Sequence, residues 1–213
     1  MPPQRSLPPS TFTSGTASLR LPCGTPPCWR WRSEPSRRYP GRVTLGIGHG
    51  VQEWMAQIGE RVASPLTLLE EVVTAVRSLL HGRRMTTEGR YISLREVELV
   101  FPPALAPDVV CGVTGPKSIS LSGRIGDGTV LGEGTTPQAV RDTRTRIADP
   151  AHRISVFFQV ETATEVRREI TELFAAGADA VILRPSESLD DPTALAARAD
   201  LAPPTSRPTE SAG

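Results

Sequence analysis

The sequence predicts an α/β fold in which parallel strands are covered by helices on both faces. From residue 109 onward, short apolar runs without polar alternation are each followed by a stretch of helical periodicity. Unbroken apolar runs are typical of parallel strands whose two faces are both buried. The chain has 213 residues, of which 38% are hydrophobic and 22% charged, the composition of an ordinary soluble protein.

Composition argues against two classes of partner and against a metal. The 24 basic and 23 acidic residues give a net charge of +1, so no overall field attracts nucleic acid. The sequence has no run of about 18 apolar residues, so we expect no membrane span. Cys23, Cys28 and Cys111 lack the spacing of a disulfide framework or a zinc site. We therefore expect a cytoplasmic protein without a metal.

The first ordered elements are a strand and a long helix. Arg42–Ile47 is an apolar run that we interpret as a strand, ended by the turn Gly48–Gly50. A loop is expected from that turn to Ser64. Ser64 is a suitable N-cap and Pro65 a suitable first helical residue, and apolar residues then recur every three or four positions. Gly82 is placed to end this helix.

The remaining elements follow in order. Thr86–Leu94 has turn residues at its centre and predicts a small hairpin. Alternation then predicts strands at 109–113, 128–131, 154–158 and 178–183, with helices at 116–124, 137–147 and 164–176. A complete (β/α)8 barrel needs about 250 residues. The ordered part is therefore either an open sheet or the later part of a barrel.

The chain divides into three parts by composition. Residues 1–40 hold nine Pro and six Arg without helical or strand periodicity, which predicts a disordered leader. Residues 41–185 carry the α/β pattern, and residues 186–213 predict a flexible polar tail. The abrupt change at residue 41 suggests the hypothesis that the leader is an out-of-frame reading or a misplaced start.

One turn has the features of an anion site. Val113–Ser118 joins a predicted strand directly to a helix, where free backbone N–H groups, Gly115 and the cation Lys117 favour a phosphate. Alternatively, this turn only starts a helix and Lys117 is a solvated surface charge. Motifs for a nucleophile elbow, a metalloprotease or a P-loop do not occur.

A second glycine turn lies at the end of the first strand. Gly46–Gly50 is only a weak match to a dinucleotide fingerprint, because Val51 stands where the third glycine belongs. His49 either contacts a ligand as an acid, base or hydrogen-bond donor, or is an ordinary loop residue. Trp54 either forms a pocket wall or anchors the loop in the core, and we expect the core role.

Five blocks follow one another along the chain: Gly41–Gly50, the helix 68–80 with His81-Gly82, the hairpin 86–91, Gly112–Lys117 and Ile125–Gly128. Together they resemble the luciferase-like monooxygenase superfamily, and within it the branch that uses the deazaflavin coenzyme F-420 (F420). The resemblance implies a partial (β/α)8 barrel covering strands four to eight. Strand four would be Val43–Ile47, strand five Val109–Val113 and strand eight Ala178–Leu183.

The resemblance also implies a cofactor and its contacts. F420 or FMN would exchange a hydride with a small organic substrate, and the protein would supply position and electrostatics. The cofactor-binding residues would be Gly48, His49, Gly50, Gly112, Val113, Thr114, Gly115, Pro116 and Lys117. His49 is the candidate catalytic residue.

Two departures from the family pattern bear on activity. Val51 stands where sugar-phosphate and alcohol dehydrogenases of the family have a Glu, and Glu53 follows two residues later. The first three barrel strands have no counterpart in residues 1–40. The alternatives are a non-catalytic α/β module that binds a phosphorylated small molecule, or an inert pseudogene product. Exposed strand edges at Val43–Ile47 and Ala178–Leu183 predict self-association.

Overall fold

A computed structural model describes residues 41–160 and 166–185, which belong to two compact units divided between Val130 and Leu131. The predicted leader, the predicted tail and the first residues of the helix predicted at 164–176 lie outside the described residues. The helices are α1 (Gln52–Gln57), α2 (Pro65–Leu80), α3 (Pro116–Ile125), α4 (Pro137–Ile147) and α5 (Val166–Ala175). The strands are β1 (Thr44–Gly48), β2 (Met85–Glu88), β3 (Ser93–Val97), β4 (Asp108–Gly112), β5 (Gly128–Leu131), β6 (Arg153–Val160) and β7 (Ala180–Pro185).

The first unit is built on parallel strands in the order β1-β4-β5. β4 is the central strand, and three consecutive residues of it, Val109–Cys111, are buried, as expected for a strand covered on both faces. Leu69 and Val73 of α2 are almost completely buried. The strands predicted at 42–47 and 109–113 are thus confirmed to within two residues.

Helix α2 begins and ends where the sequence predicts. Pro65 is its first residue, and the Ser64 hydroxyl forms a hydrogen bond of 2.7 Å with the hydroxyl of Thr67. At the other end, Gly82 adopts a φ of +72° while its N–H donates to the carbonyl of Leu79 at 2.9 Å. The left-handed residue that ends the helix is therefore the glycine expected there.

The β2–β3 hairpin is held to α2 by one carboxylate. Glu71 accepts backbone N–H groups of Arg90, Tyr91 and Ile92 at 2.7, 2.8 and 2.9 Å. Desolvation opposes ionisation of this carboxyl, but the three hydrogen bonds outweigh it and lower the pKa of Glu71 below its ordinary 4.5. A Cβ on Gly89 would lie 2.6 Å from the same carboxylate, so a side chain there would push Glu71 away from these hydrogen bonds.

The loop predicted between Gly50 and Ser64 is wrong in its first half, because α1 begins two residues after Gly50. This helix has six residues, none of them buried, and no side chain caps its start. Trp54 is 63% exposed, so its predicted anchoring role in the core is also wrong. A short helix without a buried stripe leaves no periodic signal in the sequence.

The second unit contains the parallel pair β6–β7 and the helices α4 and α5. Thr136 caps α4 by accepting the N–H of Ala139 at 3.2 Å. Val160 and Ile170 form a buried cluster against which Phe158, Phe174, Val181 and Leu183 pack. The strands and helices predicted in this region are present. β6 is two residues longer at its C-terminal end than predicted, and the strand predicted at 178–183 is shifted by two residues to Ala180–Pro185.

An arginine–aspartate clamp fastens the N-terminal ends of the strands in the first unit. Arg77 of α2 donates to the carbonyl of Ile125 at 2.8 Å and to Asp127 Oδ1 at 2.5 Å. Asp127 Oδ2 accepts the N–H of Val109, whose carbonyl accepts the N–H of Asp127 at 2.7 Å. One carboxylate therefore joins a helix, the start of β4 and the start of β5.

The second unit repeats the same clamp with different residues. Arg144 of α4 donates to the carbonyls of His152 and Gly177 at 2.6 and 2.7 Å, and to Asp179 Oδ2 at 2.6 Å. Asp179 also accepts the N–H of Ile154 at 2.7 Å, and its own N–H donates to the carbonyl of Ile154. In both units an aspartate just before a strand binds the start of the neighbouring strand and an arginine from a helix.

Among the residues described, no helix is both long enough and apolar enough to cross a membrane.

Candidate functional site

The two glycine turns singled out in the sequence lie side by side. β1 and β4 are parallel neighbours, and their last paired residues are Gly48 and Gly112. The turn Gly48–Gly50 and the turn Gly112–Lys117 therefore leave the same edge of the sheet, at the carboxyl ends of the strands. Ligands of α/β folds bind at this edge.

The residues of the second turn differ in how far they are exposed. Val113 is buried, and its N–H extends the ladder by donating to the carbonyl of Val130 at 3.2 Å. Thr114, Pro116 and Lys117 are exposed. Because its side chain is buried, Val113 can offer a ligand only its backbone.

The start of α3 leaves backbone amides available. Gly115 is the N-cap and has no side chain that could accept a hydrogen bond from the first turn. Ser118 turns its hydroxyl back instead, accepting the N–H of Gly115 at 3.1 Å and donating to the carbonyl of Gly115 at 2.8 Å. Pro116 lacks an N–H, so the amides of Lys117 and Ser118 are the donors at this helix end.

The end of β4 beside this turn is open among the described residues. A Cβ built on Gly112 meets no heavy atom within 4 Å, so the strand end faces open space among the described residues. An incoming phosphate would therefore reach the backbone directly at Gly112. The helix dipole and the exposed charge of Lys117 favour negative charge there.

The first turn is held in shape by local contacts. Gly50 has a φ of +73°, and a Cβ on it would lie 2.9 Å from the sulfur of Met55. The side-chain amide of Gln52 donates weakly to the carbonyls of His49 and Gly50, at 3.3 and 3.4 Å. Gln52 and Met55 both belong to α1, the helix that the sequence did not predict.

The hydrogen bond of His49 fixes its tautomer. Nδ1 lies 2.9 Å from the carbonyl of Gly50, and because a carbonyl only accepts, Nδ1 carries the proton. In the neutral ring, Nε2 is then the nitrogen with a lone pair. The half-buried side chain of His49 thus has one basic nitrogen that is not used by this contact.

Thiol and metal chemistry find no support in the described residues. Burial raises the pKa of Cys111 to about 11, despite an opposing hydrogen bond with Ser122. The thiol is therefore protonated at neutral pH and is not a nucleophile. Within residues 41–160 and 166–185, His, Cys, Asp and Glu do not form a group of three or more that could hold a metal ion.

A model of the luciferase-like monooxygenase family matches residues 37–207. The chain belongs to this family. The resemblance seen in the sequence is thus confirmed, and the match covers both described units.

Curated relatives in the family carry names of F420-dependent enzymes. The F420-dependent glucose-6-phosphate dehydrogenase of Microbacterium testaceum is 33% identical over 103 residues, which are 47% of this chain and 31% of the relative. The 5,10-methylenetetrahydromethanopterin reductase of Methanolobus tindarius is 32% identical over 91 residues, 43% of this chain and 28% of the relative. The matches span about a third of the length of these relatives.

Solved structures of the family show the same fold. An F420-dependent secondary alcohol dehydrogenase, solved with an F420-acetone adduct, superposes with a TM-score of 0.62 and 17% identity over 71% of this chain and 66% of that chain. The coenzyme F420-dependent tetrahydromethanopterin reductase of Methanopyrus kandleri superposes with a TM-score of 0.51 and 14% identity, over 68% of this chain and 69% of that chain. The predicted α/β class and partial (β/α)8 barrel are confirmed.

Proposed function

We propose that this chain is part of an oxidoreductase that binds F420 and promotes hydride exchange between that coenzyme and a small organic substrate. Membership of the family over residues 37–207 carries the proposal. The names of the relatives and the adjacent glycine turns at Gly48 and Gly112 support it. F420, when bound, supplies the carbon that exchanges the hydride.

The proposed task of the second turn is to hold the phosphate side of the coenzyme. The amides of Lys117 and Ser118 would donate to phosphate oxygens at the positive end of the α3 dipole. Gly112 would let the ligand approach the backbone, since a Cβ there would enter the open space. Lys117 would add a positive charge nearby without needing a single fixed geometry.

The proposed task of the first turn is to position the reacting groups. His49 would face the reacting end of the coenzyme, with Nε2 free to exchange a proton with the substrate. Val51 brings no carboxylate to the position directly after the turn, and Glu53 is exposed on α1. His49 is therefore the acid–base group that we assign to this edge of the first unit.

Spectroscopy separates the cofactor alternatives. The purified chain is titrated in parallel with oxidised F420 and with FMN, and the fluorescence of each is followed. The proposal predicts saturable binding of F420, tighter than that of FMN. Tighter binding of FMN than of F420 would make FMN the cofactor. No binding of either cofactor would contradict the proposal.

A turnover assay then separates the enzyme from a binding module. The chain is mixed with oxidised F420 and either glucose 6-phosphate or a secondary alcohol, the substrate classes named in two relatives. Loss of the coenzyme absorbance supports an enzyme. Binding without loss of absorbance on either substrate favours the non-catalytic module.

A further inference from the structure

A basic cleft lies at the C-terminal ends of α2 and α3, within the first unit. Its volume is about 360 Å³, and its lining includes Arg77, His81, Arg83 and Arg124 together with the hydroxyls of Thr74 and Ser78. The remaining lining residue, Ile125, is apolar, so this lining has no acidic side chain. Guanidinium, imidazole and hydroxyl donors together are the groups that recognise phosphate.

The cleft is separate from the proposed coenzyme site. Gly115 caps the N-terminal end of α3, whereas Arg124 lies in its last turn. A helix of ten residues is about 15 Å long, so the two places lie at opposite ends of α3. The cleft therefore lies near the amino ends of the strands, where the Arg77 clamp is found.

Part of the positive charge in the cleft is already neutralised. Arg77 pairs with Asp127, and each helix C-terminus contributes about half a negative charge. His81 donates through Nδ1 to the carbonyl of Arg77 at 2.7 Å, which leaves its other ring nitrogen without that contact. Arg83 and Arg124 add two positive charges, of which about one offsets the two helix ends.

Among the described residues, neither arginine is held in a tight ion pair. Arg83 has no acidic partner there, and Arg124 makes only a loose contact with Glu70, at 3.8 Å, in which both side chains are more than half exposed. Exposed pairs of this kind contribute little to stability, so a more highly charged anion would displace Glu70.

We propose that this cleft binds a phosphate group, free or carried on a small molecule, through Arg83 and Arg124. The side chains are exposed and long, so they would close on the anion from two helix ends. The hydroxyls of Thr74 and Ser78 would serve as additional donors. The site does not depend on the proposed coenzyme function, because it uses other residues at the other end of α3.

The test uses the full chain with inorganic phosphate and, separately, with phenyl phosphate as probes. Calorimetry at low ionic strength measures affinity, and nitrogen–proton NMR spectra locate the perturbed amides. We expect R83Q/R124Q to weaken phosphate binding at least tenfold, while R146Q, which removes an exposed arginine of α4, leaves it unchanged. Shifts are expected at the amides of Arg83 and Arg124.

Each outcome decides the proposal. An unchanged affinity in R83Q/R124Q, shifts confined to Lys117 and Ser118, or no binding of either probe to the unmodified chain would overturn it. Tighter binding of phenyl phosphate than of inorganic phosphate supports it with an organic phosphate as the ligand. The reverse order supports it with free phosphate as the ligand.

Discussion

The carbonyl oxygen of Gly112 lies where it would meet a side chain on Gly48, because a Cβ at that position would be only 3.0 Å from this oxygen. The two glycines are the last register pair of β1 and β4. Their close approach brings the two turns together at one edge of the sheet. The missing side chain at Gly48 thus serves packing, whereas the missing side chain at Gly112 borders open space among the described residues.

Gly48→Ala should destabilise the first unit. The added methyl group would press on a backbone oxygen that cannot rotate away, which costs about 1–3 kcal/mol in a packed site. Gly46→Ala is the matched control in the same strand, since its Cβ would meet only Val110 at 4.0 Å. Urea denaturation measures both free energies of unfolding. Equal values for the two variants would contradict the packing role of Gly48.

Glu71→Gln should loosen the hairpin from α2. The carboxylate accepts three N–H groups, whereas a neutral amide has only one oxygen to accept them. We therefore expect the free energy of unfolding to fall by about 1–2 kcal/mol at neutral pH. The neighbouring Glu70→Gln is the control, because among the described residues Glu70 makes only the loose contact with Arg124. The free energies of unfolding are again compared in urea.

The effect of Glu71 should depend on pH in a defined direction. Its pKa in the folded protein is lower than the ordinary 4.5, so ionised Glu71 stabilises the fold above pH 4.5. This contribution is lost as the pH falls through the lowered value. The stability difference between the unmodified chain and Glu71→Gln should therefore shrink in acid. A difference that stays constant from neutral pH into that acid range would contradict the account.

The two arginine–aspartate clamps should be structural and unequal in strength. Asp127→Asn and Asp179→Asn each remove the negative charge of a carboxylate that accepts hydrogen bonds from an arginine and from a strand N–H. Each variant should lower the free energy of unfolding by about 1–3 kcal/mol. Asp179→Asn should lower the stability more than Asp127→Asn, because its ion pair is more buried. The side chains of Asp179 and Arg144 are 24% and 21% exposed, whereas those of Asp127 and Arg77 are 31% and 34% exposed. Asp142→Asn, on the exposed face of α4, is the control. A smaller loss of thermal stability in Asp179→Asn than in Asp127→Asn would contradict this ranking.

Much of the fold follows from local patterns in the sequence. The apolar runs of β4 and β5 and the Pro-led starts of α2, α3 and α4 are local signals, and the structure places these elements within two residues of the prediction. Helix α1 was missed because none of its residues is buried. A helix without an apolar face looks like a loop in sequence.

The contacts that shape the site were harder to predict. Gln52 and Met55 support the first turn only because α1 folds back on it. Asp127 carries no local signal of its role, since its partner Arg77 is 50 residues away. The positions of the glycine turns were predictable, whereas the residues that brace them depend on tertiary contacts.

Comparing coenzyme binding by Gly112→Ala and Gly46→Ala tests the central claim most directly. Both variants add one methyl group to a parallel strand, and neither added Cβ lies within 3.4 Å of a described heavy atom. Fluorescence titration with F420 should show at least a tenfold weaker affinity for Gly112→Ala and an unchanged affinity for Gly46→Ala. Equal affinities in the unmodified chain and in Gly112→Ala, with both folded, would show that the coenzyme does not rest on this strand end.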